Sequence, residues 1–324
     1  MISRHTFRLA VCLGLLLRPA LAGAAEPRRL TQDAWPDSQP AWSPAGDRVS
    51  FVSRREGRKH CLVLLTLKDR SEKVLCRDVA AGRGYAWAPD GRRIAYTATE
   101  GRRQFVRLAD VESGRSYSIG DGRNPAFSPS GDRLAYVNDK DIVVYSVTDR
   151  TTANLTQEMR TPVLSRVDCG PDRTVLYCAK DGDLWRLNVP TKRAARVFDH
   201  AAESAVAPRA DYPVVDASGK KVFFSLVTDG LYAHATDNVL ACYDAESGKV
   251  KRLADANGWS LAQGGKQAVY SIGGTLYRLD LASGAKDRLG EGNSPAVSPD
   301  SRSVLYLWRS DPLGENDVWM RSLQ

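Results

Sequence analysis

Beyond residue 25 the chain has no apolar stretch long enough to cross a bilayer, so no transmembrane anchor is expected. It has no CxxC pair and no cluster of cysteines with histidines, which leaves zinc without a ligand set; no metal or cofactor is expected. Histidine is scarce, four in 324 residues, and His60, His200 and His234 stand apart, none beside a nucleophile or at metal-ligand spacing. No GxSxG elbow occurs, so the chain lacks the nucleophile turn of an α/β-hydrolase. The formal net charge is only +8, short of the excess usual for a nucleic-acid binder, and nucleic acid is not expected as a partner.

Residues 1–25 do have an apolar run. Arg4 and Arg8 precede "LAVCLGLLL", and "ALAGAA" follows with small residues suited to cleavage between 22 and 25. This reads as a secretory leader, which makes the mature protein exported and leaves 26–324 as a single domain. Removing the leader takes Arg4, Arg8 and Arg18 and no acid, so the net charge falls by three. Five cysteines remain, Cys61, Cys76, Cys169, Cys178 and Cys242; an odd number leaves at least one thiol unpaired in a monomer, the oligomeric state expected here.

What the remaining chain has is a repeat. "QPAWSPAGDRVSFV" from Gln39, "GYAWAPDGRRIAYT" from Gly84, "NPAFSPSGDRLAYV" from Asn124 and "SPAVSPDSRSVLYL" from Ser294 are one motif. Eroded copies begin at Ser165, Tyr212 and Gly258, which makes seven. Each motif is two short alternating runs around turn chemistry: in the third copy Pro129 presets φ, and Gly131 can take the left-handed conformation that closes a hairpin. A third run such as "DIVVYSV" and a fourth such as "ANLTQ" complete four antiparallel strands in about 40 residues, the signature of a propeller blade. The seventh unit stops after its third strand, "DVWMRSL", while "RRLTQ" at 28–32 echoes "ANLTQ". The expectation is an all-β, seven-bladed β-propeller whose last blade is closed by the N-terminal strand, hiding the sheet edges that would otherwise invite aggregation.

"PAWSPAGDRVSFV", "YAWAPDGRRIAYT" and "PAFSPSGDRLAYV" resemble the WD-like propeller repeat of the TolB family of Tol-Pal translocation proteins. The resemblance implies a periplasmic propeller that binds other proteins at the cell envelope. That family carries an α/β domain ahead of a six-bladed propeller, whereas here seven motifs are counted and the first begins at Gln39.

In a propeller, the loops joining second to third strands share one face with the loops joining consecutive blades. The "SPxGD" turns lie on the other face, and their serines and aspartates are read as turn-forming rather than as ligands. The shared loop face is rich in arginine. Blade one contributes Arg54, Arg55 and Arg58, blade two Arg102 and Arg103, and blade seven Arg309. The inter-blade loops add Arg83 and Arg123 in one repeat column, with Arg160 and Arg209 at the next two entries. The long insertions at 199–212, 226–238 and 309–317 lie on this face too, and length there marks a working surface. Such a face would focus field on an anionic partner, either an envelope protein or an anionic envelope polymer. The alternative function is a propeller enzyme, a lyase or lactone hydrolase, with its site at the channel mouth. Cys61 and Cys76 flank the hairpin between the third and fourth strands of blade one, and a disulfide between them is expected there.

Overall fold

The structure, a computed structural model, describes residues 26–32, 34–55, 59–80, 82, 84–139, 141–156, 164–170, 175–180, 182–202, 209–227, 238–262, 264–311 and 314–324. The leader expected over 1–25 lies outside them. So do Arg58, Arg83 and Arg160, and residues 203–208 and 228–237 of the two insertions around blade five. Twenty-eight strands form seven four-stranded antiparallel sheets, each a meander in chain order except one. The exception holds Asn293–Val297, Ser303–Trp308 and Asp317–Ser322 and is completed on its outside by Arg28–Arg29. This is the seven-bladed propeller expected from the repeat, closed by the N-terminal strand.

Period-two alternation explains why the sheets form a ring. In blade one, Phe51, Cys61 and Val63 pack on Leu305, Leu307 and Val318 of blade seven. Their neighbours Val52, Leu62 and Leu64 pack on Ile94 and Tyr96 of blade two. Every strand thus feeds two layers, one on each side of its sheet. Seven buried clusters result, each bridging two adjacent blades around the ring. Tryptophans on inner strands tie blades further by donating to the preceding one. Trp42 Nε1 reaches Ala296 O (2.9 Å), Trp87 Nε1 reaches Ser50 Oγ (2.8 Å) and Trp259 Nε1 reaches Ser225 Oγ (2.9 Å).

Alternation also removes the expected disulfide. No disulfide joins Cys61 to Cys76. A register shift between Leu62 and Val63 sets Cys76 opposite Leu62, one residue away from Cys61. One residue of offset turns a side chain to the other face of a sheet. Cys61 accordingly lies in the layer shared with blade seven and Cys76 in the layer shared with blade two.

The joint that closes the ring is a hydrogen-bonded clasp. Leu30 N donates to Val318 O (2.8 Å), and Val318 N donates to Thr31 Oγ1 (2.9 Å). Asp317, only 3 % exposed, accepts from Arg29 Nη2 at 2.5 Å and from Thr31 Oγ1 at 3.4 Å. Blade three makes the same clasp within one continuous stretch of chain. There Ile142 N donates to Thr156 Oγ1 (2.9 Å), and Thr156 Oγ1 donates to Asp141 (2.9 Å). The echo of "ANLTQ" in "RRLTQ" is this shared chemistry.

The "SPxGD" turns are structural, as read. Ser128 Oγ takes Arg133 N (3.1 Å) and donates to Asp132 (2.9 Å), and Gly131 stands at φ 72°. Blade one repeats this with Ser43, Arg48 N (3.0 Å) and Asp47 (2.8 Å). A second requirement for glycine lies at the entries to blades three and seven. Gly122 (φ +152°) lies against the ring of Tyr136, and Gly292 (φ +144°) against that of Tyr306; a Cβ would meet those rings at 2.6 and 2.4 Å. Both tyrosines are buried, so the rings have nowhere to retreat.

Two outcomes test this architecture. Gly292→Ala is expected to cost about 2 kcal/mol or more by overpacking. Gly248→Ala, at a glycine with φ +69° and nothing within 4 Å, should cost about 1–2 kcal/mol from backbone conformation alone, less than Gly292→Ala, which adds overpacking to a left-handed φ. Equal melting temperatures for the two variants would contradict the packing account. Deleting residues 26–32 removes the clasp and the Leu30 side chain, and should cost several kcal/mol. Urea titration of the truncated chain checks this, and an unchanged midpoint would reject N-terminal closure.

Candidate functional site

The loop face is fixed by register. In blade three Arg123, the first residue of its inner strand, pairs with Val137 near the end of the second, and Asn138 pairs with Asp141 at the start of the third. Each blade therefore presents its 2–3 loop and its entry loop at one end. A recurrent irregularity shapes this end. The inner strands of blades one, three, five and seven carry a register shift with a left-handed residue in it, Gln39 (φ 52°), Asn124 (φ 55°), Tyr212 (φ 52°) and Ser294 (φ 51°). A proline follows each of the four, and in blade two Gly84 (φ 73°) holds the same motif position. Bulges of this kind re-aim side chains at a sheet end. Tyr212 is 45 % exposed there, and Trp35, in the loop entering blade one, is 43 % exposed. Neither aromatic was singled out from the sequence; their only signal is position beside an inner-strand start.

The described arginines divide into two groups. Arg55 lies within 2.8 Å of Glu72 and Arg103 within 2.8 Å of Asp121, with Arg103 also over the Phe105 ring at 5.0 Å. Their charge is largely matched. Arg209 opens the inner strand of blade five, where its Cγ crowds Gly182 beside the His200 ring. Arg54 pairs in register with His60, Arg102 sits in the 2–3 turn of blade two and Arg309 follows the second strand of blade seven. All three are exposed, and none makes an ion pair with a described residue. Arg123 is half-buried and likewise has no ionic partner among the described residues. Of the ten arginines that the sequence assigns to this face, Arg54, Arg102, Arg123 and Arg309 are described and make no ion pair with a described residue.

Blade four adds a polar cluster that the sequence did not signal. Asp183 Oδ1 accepts from His200 N (2.9 Å) and lies 2.7 Å from His200 Nδ1, while Arg196 reaches Asp183 Oδ2 (3.3 Å) and Asp199 Oδ2 (2.8 Å). Burial alone would raise the Asp183 carboxyl, but the hydrogen bonds from His200 and Arg196 outweigh it and hold the group below the usual carboxylate range. Ligand atoms of Asp183, Asp199 and His200 lie within 4.8 Å of one another, the beginnings of a divalent-cation set. Arg196 already supplies positive charge to both carboxylates. The cluster ties the end of the fourth strand to the start of the third, as Thr156 and Thr31 do in blades three and seven.

Asp168, on the inner strand of blade four, is chemically unusual. Its Oδ2 accepts Val215 N of blade five at 2.8 Å. Burial pushes its carboxyl up to about 6, and backbone hydrogen bonds from Val215 and Cys169 oppose the shift without cancelling it. No histidine or second carboxylate is described in contact with it, so it bridges two blades rather than forming an acid–base pair.

No family model matches the chain. Among solved structures it is similar to an oligogalacturonate lyase in complex with manganese, with a TM-score of 0.72 and 15% identity over 91% of this chain and 92% of that one. It is also similar to the hydrazine synthase of Kuenenia stuttgartiensis, at a TM-score of 0.61 and 14% identity over 85% and 94% of the two chains. TolB from Acinetobacter baumannii gives 0.55 and 18% over 78% of this chain and 66% of its own. At such identities the likeness is one of fold, and the fold is the β-propeller.

The raised Asp168 carboxyl predicts a pH signature. A carboxyl whose folded pKa lies above its unfolded value near 3.8 favours folding most below that value, and the benefit is lost as pH rises through about 6. Asp168→Asn keeps an acceptor for Val215 N and cannot ionise. It should melt higher than the parent at pH 7.5 and level with it below pH ~4. Parallel melting curves at every pH would show that Asp168 is not desolvated.

Proposed function

We propose that this protein is an exported, non-catalytic binding propeller that receives an anionic partner on its loop face, either an envelope protein or an anionic envelope polymer. The observation that carries this reading is charge placement. Arg54, Arg102 and Arg309 are exposed on blades one, two and seven, which adjoin one another around the ring, and among the described residues no acid neutralises them. Positive charge of this kind raises the rate of encounter with an anion more than it raises affinity. Trp35 and Tyr212, exposed on inner-strand entries of the same face, supply large apolar area of the sort that dominates binding energy in interfaces. Export rests on the basic and apolar leader at 1–25.

Acid–base chemistry has weaker support. The one raised carboxyl described on an inner strand, Asp168, is held by a backbone N–H, and His200 is held by Asp183. His60 stands across from Arg54 with no acid partner described. A hydrolytic or eliminating site needs a base within reach of an electrophile stabiliser; Asp168 and His200, both of blade four, are each held by another partner, and His60 belongs to blade one.

The triple variant Arg54→Glu, Arg102→Glu, Arg309→Glu tests the reading. Immobilised parent protein should retain an envelope component at ~50 mM salt and release most of it by ~300 mM, because exposed charges are screened over that range. The variant should retain little at either concentration and melt within about 1 kcal/mol of the parent, since its changes are on the surface. Equal retention by both proteins at each salt concentration would return these arginines to an ordinary solvated surface.

A further inference from the structure

At the end of the ring opposite the loop face, blades five and six leave a groove of about 360 Å³. Its walls follow from register. Phe223, Cys242 and Lys251 form one cross-strand row of blade five, and Lys221, Asp244 and Lys249 form another, nearer the hairpin end. Phe223 and Cys242 face blade six in a shared apolar layer, and Leu281 of blade six closes the far side.

The repeat provides an internal comparison. Between blades three and four the corresponding notch measures about 10 Å³. There Ala135 and Val144 face each other as Phe223 and Cys242 do, and Val189 follows its third strand as Leu281 does. At the third-strand position of Cys242, blades one and two place the buried leucines Leu64 and Leu108. Blade five has a smaller side chain there, and the space is open. A volume of this size is within the range of small-ligand pockets, about 300–1,000 Å³.

The lysines lining the groove outnumber its acid three to one. Lys221, Lys249 and Lys251 are exposed at its rim and make no ion pair with a described residue. The one acid among the lining residues, Asp244, has its Oδ1 engaged in its own turn by Ser247 N (2.8 Å), Ser247 Oγ (2.9 Å) and Glu246 N (3.1 Å). Nearby Glu246 pairs outward with Lys220 at 2.7 Å. The Cys242 thiol, pushed up to about 11 by burial, stays protonated and serves as apolar wall rather than nucleophile.

We propose that this groove binds a small amphipathic anion, an apolar body carrying a single carboxylate. The body lies on Phe223, Cys242, Leu253 and Leu281, and the head lies among Lys221, Lys249 and Lys251. The site is on the opposite end of the ring from the arginines and does not depend on their role.

Calorimetric titration of the full protein with decanoate, below its micellar concentration, tests the site. Saturable one-to-one binding is expected, with decylamine, which has the same body and the opposite charge, not binding. Lys221→Ala, Lys249→Ala and Lys251→Ala combined should weaken decanoate about tenfold or more, with an unchanged melting temperature, because three exposed ionic contacts are lost. Cys242→Leu should close the groove and abolish binding; if that variant does not fold, the lysine variant decides alone. The loop-face arginine variant should bind decanoate like the parent. No binding to the parent, equal binding of decanoate by the lysine variant, or equal binding of decylamine would each overturn the proposal.

Discussion

The ring depends on one joint. A propeller of this kind has no central core; its apolar layers lie between blades, and each exists only while both neighbours are in place. With Arg28–Arg29 counted in blade seven, every blade-to-blade step is covalently continuous, and the two ends of the chain meet inside blade seven. There the N-terminal strand is seated on the outer edge of Asp317–Ser322 by noncovalent contacts alone. Arg29, Leu30 and Thr31 lock onto Asp317 and Val318 there, with Asp317 almost wholly buried. A buried carboxylate is tolerable only when paired and hydrogen-bonded, and Arg29 and Thr31 meet both conditions. Closing the edge also leaves the outer strand of blade seven in the same environment as every other outer strand, so no blade is a special end.

A rigid ring frees its two ends to differ. At the hairpin end the serine and aspartate of each turn are committed to local hydrogen bonds, which is why acids recurring there carry no ligand chemistry. At the loop end, residues with left-handed φ recur in four inner strands, each ahead of a proline. L residues adopt that conformation rarely, and its repetition in one ring of positions shows that the backbone there is set by the blade geometry and not by any one side chain. Residues at those positions, glutamine, asparagine, tyrosine and serine, are then free to vary. Variation on a fixed backbone is what lets one face of a repeat scaffold acquire a binding role.

How much of this the sequence reveals follows from which physical signals survive erosion. Four strong motifs and three weak ones were enough to count blades, because turn chemistry and alternation persist even where "SPxGD" has decayed to "AQGGK" at 262–266. Ring closure was legible because Thr31 and Thr156 do the same work in "RRLTQ" and "ANLTQ". The Cys61–Cys76 pairing failed on a register shift of a sort that recurs between third and fourth strands, at Leu62/Val63, Val106/Arg107, Leu240/Ala241 and Leu276/Tyr277. A bulge inserts one residue and reverses parity, and nothing in an alternating pattern records it. The arginine face was legible as composition, but not which arginines were already matched. Arg55 finds Glu72 across the blade and Arg103 finds Asp121 eighteen residues along, partnerships set by strand pairing rather than by spacing. The clasp of Asp183 by His200 escaped notice because a histidine two residues past the fourth strand, and no threonine, reaches the aspartate there.

The places where this protein departs from its own repeat are therefore the informative ones. Within a propeller each column of residues is sampled seven times in the same environment, so the other blades show what packing alone requires. Leu64 and Leu108 fill this layer position in blades one and two with a large apolar side chain, and Cys242 fills it in blade five with a smaller one. An unfilled layer costs stability through lost dispersion contacts, by an amount that grows with the volume left. Blade five places that smaller side chain beside three lysines and a single acid. The arginines of blades one, two and seven satisfy the same criterion at the other end of the ring, since their counterparts in blades three and six are Asp139 and the Gly273–Gly274 turn. Neither feature follows from the fold, and each therefore has to be explained by something outside it.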